Sequence, residues 1–244
     1  MTEARRNEIM TGIAVSIVVT VVLYAVPYGH VIGRPLIWLS TFAHEMGHGL
    51  AAILTGGTFV KFVMSPDGSG MATSMIQPGG INRAITAAGG LLGPPLVAAA
   101  LFAVATRPRW SRAALWVMTA GCALSALLVV RNAFGMVFVL LLGATLAALA
   151  RWASPRAQHF AVLFMAVQMA LTVYSRGDYL FTDTAGTGPS DVQQIADALF
   201  GPYWLWGGLI AVLSALIVLG GLWIVWRSLR SDGPRRPKRT TTIS

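Results

Sequence analysis

The sequence predicts an all-α polytopic membrane protein of about seven transmembrane helices, with a short β-hairpin after the second of them. The chain of 244 residues is 55% hydrophobic and only 11% charged, whereas a soluble domain is roughly 25% charged. Its apolar residues form runs close to the roughly 20 residues that a helix needs to cross a bilayer. Its basic residues lie between these runs and in the C-terminal tail, as the positive-inside rule describes.

The charge and cysteine content restrict the partners of the chain. The net charge of +9 is not accompanied by a basic face with interleaved aromatic residues. This pattern favours contact with the anionic headgroups of a lipid bilayer and excludes nucleic acid as a partner. Cys122 is the single cysteine, so no intrachain disulfide can form, and we expect it to be buried as a small apolar residue.

The first two apolar runs predict two membrane helices. The run at residues 9–28 is not followed by a small-residue cleavage site, which favours a transmembrane helix over a signal peptide. The run at residues 35–54 begins at Pro35, a residue suited to a first helical turn, and ends before two glycines. If the first run is re-entrant, six helices span the membrane and the amino terminus changes side.

Residues 55–80 are too polar and glycine-rich to span a bilayer. Alternating residues in TFVKFVM and MATSMI, on either side of SPDGSG, predict a β-hairpin over residues 57–76. Two interpretations are open for this hairpin. It is either a simple connection or a ribbon whose edge pairs with an extended peptide.

The rest of the chain predicts five further spans. The first of them contains GGLLGPP, whose glycines and prolines indicate a kink or a close helix contact. Two basic loops separate some of these runs, and an acidic loop with four of the six aspartates precedes the last one. We therefore expect the amino terminus and the acidic loop outside, one membrane domain at residues 1–226, and a flexible basic cytoplasmic tail at 227–244. The five runs are residues 84–105, 113–130, 133–150, 158–174 and 203–226.

The second apolar run contains the motif HEMGH, with His44, Glu45 and His48. Positions four apart lie on one face of a helix, so both imidazoles can reach one metal ion. HExxH is the zinc signature in which the glutamate is the general base. Ionisable groups in a membrane helix cost roughly 2.5 to 3.5 kcal/mol each, and a bound cation offsets this cost. The alternative is a pair of satisfied buried histidines beside an incidental acid.

With HEMGH in a membrane helix, a glycine-rich hairpin and GGLLGPP, the chain resembles the site-2 protease family of intramembrane zinc metalloproteases over roughly residues 35–226. It is most similar to the small bacterial branch without PDZ or CBS domains. The resemblance implies a multi-pass zinc metalloendopeptidase of the cell membrane, which cuts a substrate protein in or near its membrane-embedded segment. It also implies that His44 and His48 bind one zinc ion and that Glu45 is the general base.

A catalytic zinc needs a third protein ligand and an open position for water. In this family it is usually an aspartate in an LDG- or NPDG-like motif on a later helix, and no later span here contains that motif. Asp67 lies in a similar SPDG, but turn chemistry explains it fully, so we interpret it as a decoy. Asp191, in the first turn of a predicted short helix after Ser190, is the preferred ligand.

Other interpretations of the acidic residues stay open. Asp178 or Asp183 could complete the site in place of Asp191, or none of the three. A first-turn aspartate is also favoured by the helix dipole and by capping, without any metal. We expect Asp197 to face solvent, His30 to be solvated or interfacial, and His159 to be interfacial. Neither histidine is expected to be a ligand.

The function also has alternatives at this stage. Asn132 is a candidate donor to the oxyanion of a peptidase, because the family commonly presents an asparagine near zinc, but it is equally a helix cap. The chain could instead be a divalent-metal transporter or sensor, since broken helices with acids are common in transporters. A third alternative is a catalytically inactive, protease-like protein that binds membrane partners.

Overall fold

The apolar runs form a bundle of long helices with a β-hairpin against its second long helix. A computed structural model describes residues 3–26, 28–175, 180–186 and 188–231. In chain order the helices are α1 (Glu3–Ala25), α2 (Gly29–Ile32), α3 (Arg34–Leu54), α4 (Gly80–Ala105), α5 (Ser111–Leu128), α6 (Ala133–Trp152), α7 (Pro155–Ser175), α8 (Asp191–Ala198) and α9 (Tyr203–Ser231). The strands are β1 (Thr58–Met64), β2 (Gly70–Met75), β3 (Thr184–Ala185) and β4 (Gly188–Pro189).

Within the described residues, four helical segments are long and apolar enough to cross a membrane. They correspond to α4, α5 with the turn before it, α6 and α9. The chain is therefore a membrane protein by this measure, and the expected count of seven spans remains a prediction. The second predicted span, α3, is less apolar because it carries the ionisable residues of HEMGH.

The contact between α3 and α4 is made through backbone, as small residues allow. A Cβ on Gly47 would lie 2.2 Å from the carbonyl oxygen of Gly89, and one on Gly93 would lie 3.2 Å from Gly47 Cα. The helix α4 continues through the buried Pro94 and Pro95. The GGLLGPP segment thus brings its backbone against the helix that carries HEMGH.

The hairpin consists of β1 and β2, which pair antiparallel with Phe62 opposite Ala72 and with an irregularity between Phe59 and Lys61. In the turn, the exposed Asp67 carboxylate accepts hydrogen bonds from the hydroxyl and the backbone N–H of Ser69. These two bonds lower the pKa of the Asp67 carboxyl. Asp67 therefore stabilises the hairpin turn, as its sequence context predicts.

The turn of the hairpin is attached to α3. The hydroxyl of Thr41 donates a hydrogen bond to Gly68 O over 2.6 Å, and Trp38 Nε1 donates to Pro66 O over 3.1 Å. Gly70 begins β2 against the same helix, where a Cβ would lie only 2.5 Å from Thr41 Cγ2. The hairpin is thus held along one side of α3.

The short helix α8 returns the chain to α4 after the predicted acidic loop. Its N-cap is Ser190, whose hydroxyl oxygen accepts a hydrogen bond from the backbone N–H of Gln193 over 3.1 Å. Its apolar face packs into a cluster that combines residues of α4, α8 and α9. This docking sets the position of the first residue of α8, Asp191. The cluster includes Val192, Ile195, Ala84 and Ala87.

Two further expectations concern Cys122 and His159. Cys122 is buried, as predicted. The prediction that His159 is interfacial stays a prediction. Its side chain is buried in the protein beside Ser111, with 3.3 Å between Nδ1 and the serine hydroxyl oxygen. At the end of α9, Arg230 stacks on Trp226 with 3.9 Å between the guanidinium carbon and the ring centroid, a pairing that suits a membrane interface. His30 has no described side chain, and residues 232–244 of the tail lie outside the described residues.

Candidate metal centre

The two histidines of HEMGH lie on successive turns of α3, and their imidazole rings are in contact in an edge-to-face arrangement. Their Nε2 atoms are 3.1 Å apart, and the ring planes are perpendicular. His44 is only 7% exposed. The helical spacing of the motif therefore gives the shared direction that the sequence predicted.

Asp191 of α8 completes a three-residue group with these histidines. Its Oδ2 atom lies 3.1 Å from His44 Nε2 and 3.4 Å from His48 Nε2. Ligand atoms around a tetrahedral zinc ion, each about 2.0 to 2.2 Å from it, are separated by roughly 3.3 to 3.6 Å. The three side-chain atoms thus lie close to the mutual spacing of a zinc ligand set.

The hydrogen bonds around the group leave acceptor atoms turned inward. Nδ1 of His48 donates to the carbonyl oxygen of Thr86 over 2.8 Å, because a carbonyl can only accept. In the neutral ring the lone pair is then on Nε2. Metal-bound histidines commonly have such a hydrogen-bond partner at their other ring nitrogen, which fixes the tautomer. Oδ2 of Asp191 is buried and faces the Nε2 atoms of His44 and His48. A cation is the partner that satisfies these atoms, and two imidazoles with a carboxylate suit zinc.

The carboxyl of Asp191 is available as an anion. Burial acts to raise its pKa, while protonated imidazoles at His48 and His44 act to lower it; a metal ion in the same place would supply the positive charge when the imidazoles are neutral. The net direction is below the ordinary value of an aspartate. A deprotonated carboxylate is the form that binds a metal ion.

The other described aspartates of this region are not part of this group. Asp183 is exposed, and its backbone oxygen accepts a hydrogen bond from the backbone N–H of Ser190. Asp197 is exposed, as expected, and accepts a hydrogen bond from Gln193 Nε2 over 2.6 Å. Asp178 lies outside the described residues. Among the described residues, the group that could hold a metal consists of His44, His48 and Asp191.

Glu45 lies between the metal group and the hairpin. Its side chain is buried at 7% exposure, and Oε2 accepts a hydrogen bond from the backbone N–H of Ala72 over 2.6 Å. The carboxylate is therefore fixed by β2 as well as by its own helix. The sequence pattern identified Glu45, but it gave no sign of this backbone partner, because any residue type supplies an N–H.

Gly90 of α4 leaves the space that the His48 ring occupies. A Cβ at Gly90 would lie 2.2 Å from His48 Nε2, so any side chain there must displace the ring. We expect Gly90→Ala to weaken zinc binding by about 10- to 100-fold, the range found when the surroundings of metal ligands are altered. Competition with a chromogenic chelator measures this change.

Gly121→Ala is the matched control for Gly90→Ala. It makes the same change in a membrane helix where a Cβ would meet no atom within 4 Å. We expect its zinc affinity to equal that of the unaltered chain. Equal affinities for both variants would show that the His48 ring does not need the space at Gly90.

Asn132 precedes α6, but its side chain makes no capping hydrogen bond. Instead its amide pairs with the backbone of Met64 at the end of β1. Nδ2 donates to Met64 O over 2.7 Å, and Oδ1 accepts from Met64 N over 3.2 Å. The described contacts of Asn132 thus tie the hairpin to the connection between α5 and α6.

Comparison with known proteins adds one finding to this geometry. The sequence model of a family described as Peptidase M50B-like matches residues 13–221. A search of curated proteins and a search of solved structures gave no match. The matched range includes α3, the hairpin, α4 and α8, and therefore all three residues of the metal group.

Proposed function

The chain belongs to the Peptidase M50B-like family, which is the site-2 protease family, and from this we propose that it is an intramembrane zinc metallopeptidase. It hydrolyses peptide bonds in or near a membrane-spanning segment of a substrate protein. The observation that carries the proposal is the convergence of His44, His48 and Asp191, which come from two separate elements, within about one ligand spacing of each other.

One zinc ion per chain would be held by Nε2 of His44, Nε2 of His48 and the Asp191 carboxylate. Bound there, zinc supplies the Lewis acidity that makes water nucleophilic near neutral pH and polarises a carbonyl group. The carbonyl of Thr86 keeps the His48 ring in the tautomer and orientation that ligation requires. The docked face of α8 keeps the Asp191 carboxylate at the two imidazoles.

Glu45 is the general base in this proposal. Its neighbour in the sequence is a metal ligand, and its Oε2 is held by Ala72. A carboxylate can take the proton of the attacking water and then deliver it to the leaving amine.

The hairpin prepares the substrate. A helix in lipid satisfies its own backbone hydrogen bonds, so it must unwind before a peptide bond can be cut. An extended segment can replace the lost bonds by pairing with the edge of a strand. The strand next to Glu45 is β2, so we propose that the substrate segment pairs with β2.

We further propose that seven helices span the membrane: α1, α3, α4, α5, α6, α7 and α9. The basic loops at residues 107–112 and 151–156 and the tail at 227–244 then face the cytoplasm. The acidic loop and the amino terminus lie on the opposite side. The stacked arginines and tryptophans at the end of α9 support an interface at that level.

The two hydrogen bonds between Asn132 and Met64 favour a structural role over oxyanion binding. We expect Asn132→Ala to lower the free energy of unfolding by about 1 to 3 kcal/mol, since Met64 loses its partners, and to change kcat by less than about 5-fold. Thermal unfolding and steady-state kinetics measure the two effects. A fall in kcat of roughly 100-fold or more at retained stability would instead identify an oxyanion donor.

The proposed function is tested by zinc-dependent cleavage of an unfolded protein. The purified chain, loaded with zinc in detergent micelles, should cleave fluorescein-labelled β-casein and lose this activity when a chelator removes the metal. Zinc flux into proteoliposomes without any cleavage would support the transporter alternative. Zinc binding with neither cleavage nor flux would support an inactive, protease-like binding protein.

A further inference from the structure

The hairpin has one occupied edge and one open edge. On the outer side of β1, the backbone N–H of Phe62 donates to Val129 O over 2.7 Å, and Phe62 O accepts from Arg131 N over 2.9 Å. The backbone groups of Phe62 therefore point away from β2. When one residue of a facing antiparallel pair directs its N–H and C=O groups outward, its partner does the same. The N–H and C=O of the opposite residue, Ala72, therefore point away from β1.

The open edge is therefore the outer side of β2. Backbone direction alternates along a strand, so the N–H and C=O groups of Gly70 and Ser74 point the same way as those of Ala72. In the part of the chain that the structure describes, β2 pairs with β1 alone. The three edge residues have small side chains and are half-buried.

Glu45 occupies the centre of this open edge. Its Oε2 accepts the Ala72 N–H over 2.6 Å. At Gly70, a Cβ would lie 3.1 Å from Glu45 Cγ and 3.3 Å from Oε1, so the carboxylate side chain also lies against the start of β2. The group proposed as general base thus occupies the position that an added strand would need.

We propose that the hydrogen bond between Glu45 and Ala72 is a latch that closes the open edge until an extended peptide opens it. The peptide pairs its backbone carbonyl with Ala72 N–H, and Glu45 is released for catalysis. This inference rests on the proposed function. It adds that the binding of the substrate releases the general base, Glu45, from its hydrogen bond with Ala72. The substrate class is a segment whose backbone carbonyls are not engaged in a helix.

The exchange is feasible because it replaces one acceptor with another. A buried backbone N–H needs a partner, and the peptide carbonyl serves Ala72 as well as the carboxylate does. The hairpin does not have to move, since its turn is tied to α3 by Thr41 and Trp38. Only the Glu45 side chain changes its contact.

The latch is tested by comparing two inactive variants of the full chain, both loaded with zinc. Glu45→Gln keeps an acceptor for Ala72 N–H, whereas Glu45→Ala removes it, and neither carries the charge. We expect fluorescein-labelled β-casein to bind Glu45→Ala about 3- to 10-fold more tightly, because no hydrogen bond must be displaced. Equal or weaker binding to Glu45→Ala would overturn the latch.

Hydrogen exchange at the Ala72 amide gives a second reading that does not depend on affinity. Without casein, the amide should be protected in Glu45→Gln and should exchange at least about 10-fold faster in Glu45→Ala. Casein should restore protection in Glu45→Ala. Protection that is unchanged between the variants, or unaffected by casein, would contradict the latch.

These measurements separate the latch from the proposed function. Both variants lack the base, so neither measurement requires cleavage. If the unaltered chain does not cleave casein while the binding and exchange differences hold, the peptidase proposal fails, and the measurements support only the displacement of the Glu45 hydrogen bond from Ala72. If it cleaves casein while the two variants behave alike, the peptidase proposal is supported and the latch fails.

Discussion

Glu45→Gln is expected to abolish peptide hydrolysis while the protein keeps its zinc. The amide cannot accept the proton of the attacking water, and general acid–base catalysis contributes about 10²- to 10⁴-fold. The metal group does not include Glu45, and the variant retains an acceptor for the Ala72 N–H. We therefore expect a loss of cleavage rate of at least about 100-fold, with unchanged zinc stoichiometry and unchanged thermal stability.

Casein cleavage and metal analysis of the same preparation measure both parts of this prediction. Glu8→Gln is a suitable control, because it makes the same chemical change in α1, outside the metal group. It should keep full activity. Retained cleavage by Glu45→Gln would remove Glu45 from the mechanism, and loss of zinc would mean that Glu45 is a ligand.

Asp191→Ala is expected to cause the largest loss of metal affinity. It removes one of three converging ligand atoms, which lies 3.1 Å from His44 Nε2, and leaves only the two imidazoles to bind the metal. Altering the surroundings of metal ligands already costs 10- to 100-fold in affinity. We expect a loss of zinc affinity of more than about 100-fold, and cleavage should fall with metal occupancy.

Asp197→Ala and Asp183→Ala are the matched controls for Asp191→Ala. Both remove an acid of the same loop region, and both side chains are exposed. Chelator competition should give them the zinc affinity of the unaltered chain. If Asp191→Ala binds zinc with unchanged stoichiometry and affinity, another residue completes the site.

The helices and the histidine pair could be predicted because they depend on local patterns. Apolar run length predicted the long helices to within a few residues, and the four-residue spacing of His44 and His48 predicted their common direction. The resemblance to the site-2 protease family, based on HEMGH and GGLLGPP, is confirmed by the family match over residues 13–221. A motif whose residues are close in the sequence can be recognised even when the fold around it cannot be predicted.

The remaining features of the site depend on contacts between distant segments. Asp191 was preferred from its place before the last helix, but only the packing of α8 on α4 shows that it meets the histidines. The partners of His48 and Glu45 are backbone groups of Thr86 and Ala72. Backbone groups are common to all residue types, so no residue pattern reveals them.

Apolarity alone could not establish the number of spans or the burial of His159. The ionisable residues in α3 lower its hydropathy, although the helix packs closely on the strongly apolar α4. His159 follows a polar stretch, which predicts an interface but does not show that the start of α7 packs it beside Ser111.

The central claim is that one zinc ion is bound by residues from α3 and α8. Anomalous diffraction at the zinc edge, from crystals of zinc-loaded Glu45→Gln, tests it most directly. We predict a single peak about 2.0 to 2.2 Å from His44 Nε2, His48 Nε2 and a carboxylate oxygen of Asp191. A peak elsewhere, or a peak at the histidines with Asp191 turned away from it, would contradict the claim.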